Sequence, residues 1–416
     1  MNTIETIPAS QRSVSSVVRF PILIYAVLLI SYLMNIMDRQ LFPTVAVEVR
    51  EALSLSLPQV GFASTVFTLG VAVAGVPTAL LLTKLTRKYV AIFGLVIFSV
   101  ATLTTAWSTG FLDLLAYRFF SGVGESMQFI AILAIATSFF HNHKGLATGA
   151  LNFTYGLGAL IGPNLGAALL RTHDWRTPFV AFGAGGVIIM IVMITVVSSN
   201  FTESRFAVIE TAASSAPQPH TFRDSMSSST WLLMGASALA GLSIYGYLGL
   251  YPTFLRSNLG FSSQQAALVS GFYGLGAFVS LLGGWLGDRF PYRKVLLVSF
   301  MILLVPGALL FTPLGGSIIL HSAFTFVFGA AGAGTIFVNL ASGLVKSVHP
   351  TRTALGPGLF VASFFLPATI AGYVMALLQN RLGWAVGGAT LLCGTSLLAI
   401  ALIAISAQRE GKTLQQ

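Results

Sequence analysis

The sequence predicts an all-α membrane protein of twelve transmembrane helices arranged as two pseudo-repeated six-helix bundles. Three observations predict it. Of 416 residues, 55% are hydrophobic and only 8% charged, where a soluble domain carries roughly 25% charged residues. The apolar residues come in blocks of ~20 or more, the length a helix needs to cross the hydrocarbon, not in the period-two alternation of a barrel strand. The punctuation also repeats. Leu41-Phe42-Pro43-Thr44 ends the first block and Leu250-Tyr251-Pro252-Thr253 the seventh, 209 residues later. Arg87-Lys88 follows the second block and Arg293-Lys294 the eighth, 206 residues later.

In chain order the spans are expected at 20–44, 58–82, 89–109, 112–138, 145–170, 177–200, 230–256, 262–287, 293–313, 316–345, 352–378 and 383–406. Residues 1–16 are polar and carry Glu5, and the apolar stretch after them is too long and lacks a small-residue cleavage site. It reads as the first span and not as a signal peptide. The second and eighth spans each open on a polar loop, Pro58-Gln59 or Ser263-Gln264, and continue Gly-rich. Most connections are short. The stretch Asn200 to Thr230 is rich in Ser, Ala and Pro and reads as a flexible linker. This gives an N-terminal bundle (1–200), a cytoplasmic linker (201–230) and a C-terminal bundle (231–416). The single cysteine, Cys393, excludes an intramolecular disulfide.

The net charge of +10 is set by topology and does not point to nucleic acid. Lys and Arg gather in alternate loops: Arg12 and Arg19; Lys84, Arg87 and Lys88; Lys144; Arg205 and Arg223; Arg289, Arg293 and Lys294; Lys346 and Arg352; Arg409 and Lys412. The loops between carry Arg50, Arg171, Arg176, Arg256 and Arg381. By the positive-inside rule both termini are cytoplasmic, and membrane lipid is the expected neighbour. The compact form suggests a bacterial inner membrane.

Charge inside the spans is the chemical signal. Asn35-Ile36-Met37-Asp38-Arg39 lies in the first span, where a charge costs about 2.5–3.5 kcal/mol on insertion scales. Neighbouring residues point about 100° apart on a helix, so Asp38 and Arg39 are expected to meet different partners. The fourth span supplies candidates in Tyr117-Arg118-Phe119-Phe120-Ser121-Gly122-Val123-Gly124-Glu125. Arg118 and Glu125 are two turns apart on one face, about 10.5 Å along the axis, with small residues between them that admit a close neighbour. The four charges balance. They fit either a mutually satisfied cluster or a site whose pairs exchange partners.

The loop Gly283-Gly284-Trp285-Leu286-Gly287-Asp288-Arg289-Phe290-Pro291-Tyr292-Arg293-Lys294 resembles the cytoplasmic loop motif of the major facilitator superfamily, with altered spacing. The resemblance covers nearly the whole chain and implies the fold of that superfamily, with a site between two rocking halves. It makes Asp288 and Arg289 gating candidates. The equivalent first-half loop carries Thr83 in place of the Asp, which implies a weaker latch there. Asn35-x-x-Asp38-Arg39 with Arg118-x-x-x-Gly122-x-Gly124-Glu125 resembles the anion:cation symporter branch. That likeness implies substrate binding by Arg39 and Arg118 and proton coupling by Asp38 and Glu125. The shorter Arg-x-x-x-Gly-x-Gly-Glu pattern is also similar to Spinster-type lysolipid transporters. Gly158-Ala159-Leu160-Ile161-Gly162-Pro163-Asn164-Leu165-Gly166 resembles a motif of superfamily exporters and counts against uptake.

Further polar candidates are Asn152 and Tyr155 in the fifth span, Tyr245, Tyr247 and Tyr251 in the seventh, Tyr273 in the eighth, Asn339 and Ser342 in the tenth and Ser363 in the eleventh. Each fits a hydrogen bond to substrate or ordinary packing. His321 and the span-end residues Trp107, Trp175, Trp231, Trp285 and Trp384 read as structural or interfacial. No phosphate-loop motif and no His/Cys cluster occurs, so neither an ATP-driven pump nor a metal enzyme is expected. The expectation is a non-enzymatic, cofactor-free monomer that uses a proton gradient to bring in a small organic anion, a carboxylate or sugar acid. The rivals are proton-antiport export of metabolites or drugs, lysolipid movement, and a non-transporting receptor.

Overall fold

The computed structural model describes residues 14–82, 84–139, 144–172, 174–197, 202, 227–348 and 355–413. Thr83, Arg205, Arg223, Arg352 and most of the expected linker lie outside the described residues. Among the described residues, eleven helices are long and apolar enough to cross a membrane. The first ten are α1 (Val14–Ala52), α2 (Leu57–Leu81), α3 (Arg87–Thr105), α4 (Phe111–Phe139), α5 (Lys144–Thr172), α6 (Arg176–Val196), α7 (Ser228–Ser257), α8 (Ser263–Arg289), α9 (Tyr292–Leu309) and α10 (Ile318–Ser347). The eleventh, Pro357–Gln408, has 52 residues, about 78 Å of helix against roughly 30 Å of hydrocarbon. It breaks at Gly383, whose φ of 75° and ψ of 172° belong to a region glycine alone enters easily. Past the break, Gly387 packs on the backbone of Leu378 and Gln379. The stretch is therefore two antiparallel helices, α11 (355–382) and α12 (384–413), and the spans number twelve.

Two details differ from the sequence reading. The Leu-x-Pro-Thr tetrads lie inside α1 and α7, which run on to Ala52 and Ser257. A proline in a packed membrane helix is tolerated because neighbours re-satisfy the freed backbone groups. The repeated feature before α2 and α8 is a capping box, Ser56 with Gln59 and Ser262 with Gln265, so Gln59 corresponds to Gln265 and not to Gln264.

In the first half α1 packs on α5 and α6, α3 on α4 and α6, and α2 on α4. In the second, α7 packs on α11 and α12, α8 on α10, and α9 on α12. Internal contacts repeat between halves: Gly122 sits on Phe67 as Gly329 sits on Tyr273, and Gly70 meets Phe119 as Gly276 meets Phe326. The halves meet along α1–α7, α2–α11 and α5–α8. In the last two seams backbone touches backbone: a Cβ on Gly61 would overlap the Gly372 carbonyl, and one on Gly274 would lie 2.5 Å from the Gly156 oxygen. At one end of the bundle, Arg256 Nη1 of α7 bonds Glu48 Oε2 of α1 across the seam at 2.5 Å. The opposite end carries Arg87, Lys88, Arg289, Arg293, Lys294 and Lys346 and is called the basic end below.

Trp107, Trp231 and Trp285 are more than half exposed near helix ends, as interfacial anchors are. Trp175 and Trp384 are not anchors. Trp175 is buried edge-on to Phe179, and Trp384 stacks on Phe311 at 5.8 Å.

Candidate functional site

Asp38 and Arg39 leave α1 in different directions, and each finds an opposite charge on α4. Arg39 pairs with Glu125, its Nε donating to Oε2 at 3.3 Å. Arg118 Nη1 donates to Asp38 Oδ2 at 3.4 Å. Two turns of α4 separate the acceptor of one pair from the donor of the other. The small residues between them bring α4 against its neighbours, Gly122 on Phe67 of α2 and Gly124 on Gly94 and Phe98 of α3. The Phe67 ring lies between the pairs, its centroid 5.3 Å from the guanidinium carbon of each arginine. Arg39 also faces Tyr155 at 5.8 Å, and Arg118 faces Phe42 at 5.2 Å. A ring face and a carboxylate together offset part of the cost of burying each cation.

The pairs differ in access. A cavity of about 450 Å³ lies between the halves. Arg39 and Glu125 line it, with Asn152 and Tyr155 of α5. Arg118 is 1% exposed and Asp38 2%, and neither lines the cavity. Arg118 Nε and Nη2 have no hydrogen-bond partner among the described residues. From the second half, Tyr245 accepts a hydrogen bond from Arg39 Nη1 at 3.2 Å. Tyr245 thus joins α7 to the charged cluster across the seam. Tyr273 and Ser342 also line the cavity. The wall continues towards the basic end past Leu133, Val345 and Pro357, which lie near the ends of α4, α10 and α11. The cavity therefore extends from the charged cluster to the basic end.

Besides Arg118, three substrate-binding candidates are not brought to the cavity in this conformation. Tyr251 points into the second half, its hydroxyl 2.9 Å from His321 Nδ1 and its ring against Phe254 and Phe311. Asn339 donates to the carbonyls of Gly283 and Thr335, both at 2.9 Å, tying α10 to α8. Ser363 Oγ donates to Phe360 O at 3.2 Å within its own helix. The hydroxyls of Tyr251 and Ser363 and the amide nitrogen of Asn339 already hold protein partners, while Asn339 Oδ1 has none among the described residues. His321 is fully buried within ring contacts of Tyr251, Phe254 and Phe261, its Nε2 3.3 Å from Pro313 O. At the basic end, Asp288 lies 3.6 Å from Lys346 with both side chains largely exposed, and Arg289 stands over Trp285 at 5.8 Å. These contacts stay inside the second half. Tyr32, which is not among the sequence candidates, also lines the cavity. It lies seven residues before Arg39, hence on the same face, and that spacing is the signal that finds it. Phe67 carries no such signal in the sequence.

Gly158, Gly162 and Gly166 of the exporter-like motif face Ile36, Met37 and Leu41 of α1. They seat α5 on α1 and so fix the helix that carries both charges of the first span.

A family model of the Major Facilitator Superfamily matches residues 28–372 and 233–413. A probable sulfoacetate transporter of Cupriavidus necator is 26% identical over 329 residues, 75% of this chain and 74% of that protein. The D-galactonate transporter of Escherichia coli is 22% identical over 409 residues, 91% and 92% of the two chains. Among solved structures, a bacterial homologue of the human lysosomal transporter Spinster, inward-facing and unoccupied, superposes with a TM-score of 0.74 at 17% identity, covering 94% of this chain and 97% of that one. The twelve-span duplicated fold and the family match agree: the chain belongs to the Major Facilitator Superfamily and is a multi-pass membrane transporter, not an enzyme.

Proposed function

We propose that this transporter moves a small organic carboxylate across a bacterial inner membrane by proton symport. The observation that carries the reading is the Arg39–Glu125 pair at the head of the cavity. Among the described residues that line the cavity, Arg39 is the one basic side chain. A guanidinium stays charged when buried and presents a planar fork to a carboxylate. With Glu125 ionised, the fork is occupied. Protonating Glu125 releases it, and a substrate carboxylate takes the vacated place. The four charges sum to zero, and a proton arriving with a monoanion keeps that sum at zero. That neutrality favours one proton per carboxylate in a site where an uncompensated charge is costly. Asp38 and Arg118 lie behind and hold the second half of the balance.

The basic end is placed in the cytoplasm by the positive-inside rule, with both termini on that side. The cavity is then open inward, and the Arg256–Glu48 contact closes the outer face. Residues 1–200 and 231–416 act as the rocking bundles. In the outward-open state, Asp288 and Arg289 exchange their present neighbours for partners across the closing inner seam. The transporter names among its relatives, sulfoacetate and D-galactonate, are of small organic anions and support this substrate class. The exporter-like glycines are accounted for by the packing of α5 on α1 and give no separate support to antiport.

The test is uptake of labelled carboxylates into proteoliposomes with and without an inward proton gradient. The expected result is gradient-stimulated accumulation of an acid, lost in Arg39→Ala. Accumulation that survives Glu125→Gln under the same gradient overturns the coupling role. Flux of lysolipids with none of any soluble acid overturns the substrate class.

A further inference from the structure

The cavity that holds Arg39 is a poor match for a polyhydroxylated acid, and its chemistry narrows the substrate further. We infer that the preferred cargo is a monocarboxylate with a flat aromatic body; this rests on the carboxylate reading above. Three observations carry it.

The first is charge. Arg118, 1% exposed and bonded to Asp38, is out of reach of a ligand in the cavity. The lining therefore offers one fork, at Arg39, and a dianion would bring a second carboxylate with no cation to meet it. Burying an unpaired charge is far costlier than burying a neutral ring.

The second is the shape and chemistry of the wall. Rings enclose the space on both sides of the seam: Phe129 and Tyr155 from the first half, and Phe337, Phe360, Phe364 and Phe365 from the second. The four phenylalanines of the second half form one contiguous nest with Tyr245. Phe337 meets Phe364 edge-on at 5.1 Å and Phe360 at 4.9 Å, and Tyr245 meets Phe364 and Phe365 at 6.2 and 6.0 Å. Ring faces and edges suit an aromatic guest in stacked or edge-on contact.

The third is the apolar majority of the wall. Of its polar side chains, Ser126 donates to Val71 O at 3.0 Å, Ser342 donates to Asn339 O at 3.3 Å, and Tyr245 accepts from Arg39. A sugar acid would carry hydroxyls on most of its carbons into a wall whose remaining polar groups are spread among phenylalanine and aliphatic side chains. Each hydroxyl buried without a partner is penalised. An aromatic acid would place its carboxylate on Arg39 and its ring among the phenylalanines. One para hydroxyl would still find Asn152 or Ser342 on the wall.

The experiment is a ligand ranking on the purified full chain, by thermal shift and by competition in counterflow, with benzoate, 4-hydroxybenzoate, phthalate, gluconate and octanoate as probes. The expected result is that the two benzoates bind at least about tenfold more tightly than gluconate and phthalate, a difference of about 1.4 kcal/mol. They should also exceed octanoate, which has the charge but not the ring. Phe364→Ser and Phe337→Ser should each lower the benzoate-to-gluconate ratio by severalfold. Gluconate binding as well as or better than benzoate overturns the inference and leaves the carboxylate reading standing. Octanoate ranking first overturns it in favour of an amphiphile. Binding of none of the five acids by a well-folded protein overturns both.

Discussion

In the first half, Asp38 on α1 meets Arg118 on α4 at 3.4 Å; in the second, Tyr247 on α7 meets Thr325 on α10 at 3.4 Å. These are equivalent positions, separated by 209 and 207 residues, the spacings that also relate Leu41 to Leu250 and Phe119 to Phe326. The surroundings correspond as well. Arg118 lies 5.2 Å from the Phe42 ring and 5.3 Å from Phe67. Tyr247 lies 4.7 Å from Tyr251 and 5.7 Å from Tyr273, the counterparts of those two phenylalanines. The same aromatic nest thus holds an ion pair in one half and a neutral hydrogen bond in the other. The second half shows that a helix pair of this geometry holds together without charge. A buried ion pair is seldom a net source of stability, so the first half keeps its charges for something other than holding α1 to α4.

The comparison can be broken by mutation. The largest effect is expected from Arg118→Met, which strands the Asp38 carboxylate and should cost about 3–5 kcal/mol of stability. Thr325→Val, the matching change in the second half, leaves the neutral Tyr247 hydroxyl without its partner and should cost less, about 1–3 kcal/mol. Unfolding in detergent measures both, and equal losses would dissolve the contrast. The double variant Asp38→Leu with Arg118→Met should regain most of the stability while failing to accumulate substrate.

Glu125→Gln comes next. It should reduce gradient-driven accumulation at least about tenfold, since the protonatable group is gone, while counterflow persists and loses its dependence on pH. Tyr245→Phe is intermediate. It removes a hydrogen bond to a charged donor, about 1.5–3 kcal/mol, from one conformation only. Labelling of Val345→Cys in a Cys393→Ser background, at the mouth of the cavity, should fall severalfold as the conformation open to the basic end loses population. The smallest effect belongs to Arg256→Gln. Its pair with Glu48 is partly exposed, so the loss should be about 0–1 kcal/mol and should shrink further in high salt.

Much of this contrast was legible in the residues. Charges that are costly in hydrocarbon announce themselves, and the spacing of Arg118 and Glu125 placed both on one face. That adjacent Asp38 and Arg39 need separate partners also follows from helix geometry. Which face of an apolar helix meets the cavity is much harder to read, because a neighbouring helix and a cavity wall select the same residues. Tyr251, Asn339 and Ser363 show this: each is a polar residue on a buried face, and each bonds to protein. Asn152 and Tyr155 reached the cavity on no stronger signal. Trp175 and Trp384 fall near span ends as anchors do, yet short loops fold them back into the bundle. The prolines of the two tetrads read as terminators by soluble rules, which do not hold where neighbouring helices re-satisfy the backbone.

The glycine contacts between the halves have a mechanical consequence. Where Gly61 meets Gly372 the nearest atoms on both sides are backbone, and where Gly156 meets Gly274 backbone also touches backbone, with the Phe278 ring packed alongside. Ordinary helix packing sets ridges into grooves, and sliding then means climbing from one notch to the next. A contact of bare backbone, as at Gly61 and Gly372, has no notch. It works as a plain bearing, close enough to exclude lipid and smooth enough to turn under a small torque. A single methyl group on that surface is a tooth: Gly61→Ala or Gly274→Ala would leave the ligand-facing residues untouched and jam the rotation that carries them from one side of the membrane to the other.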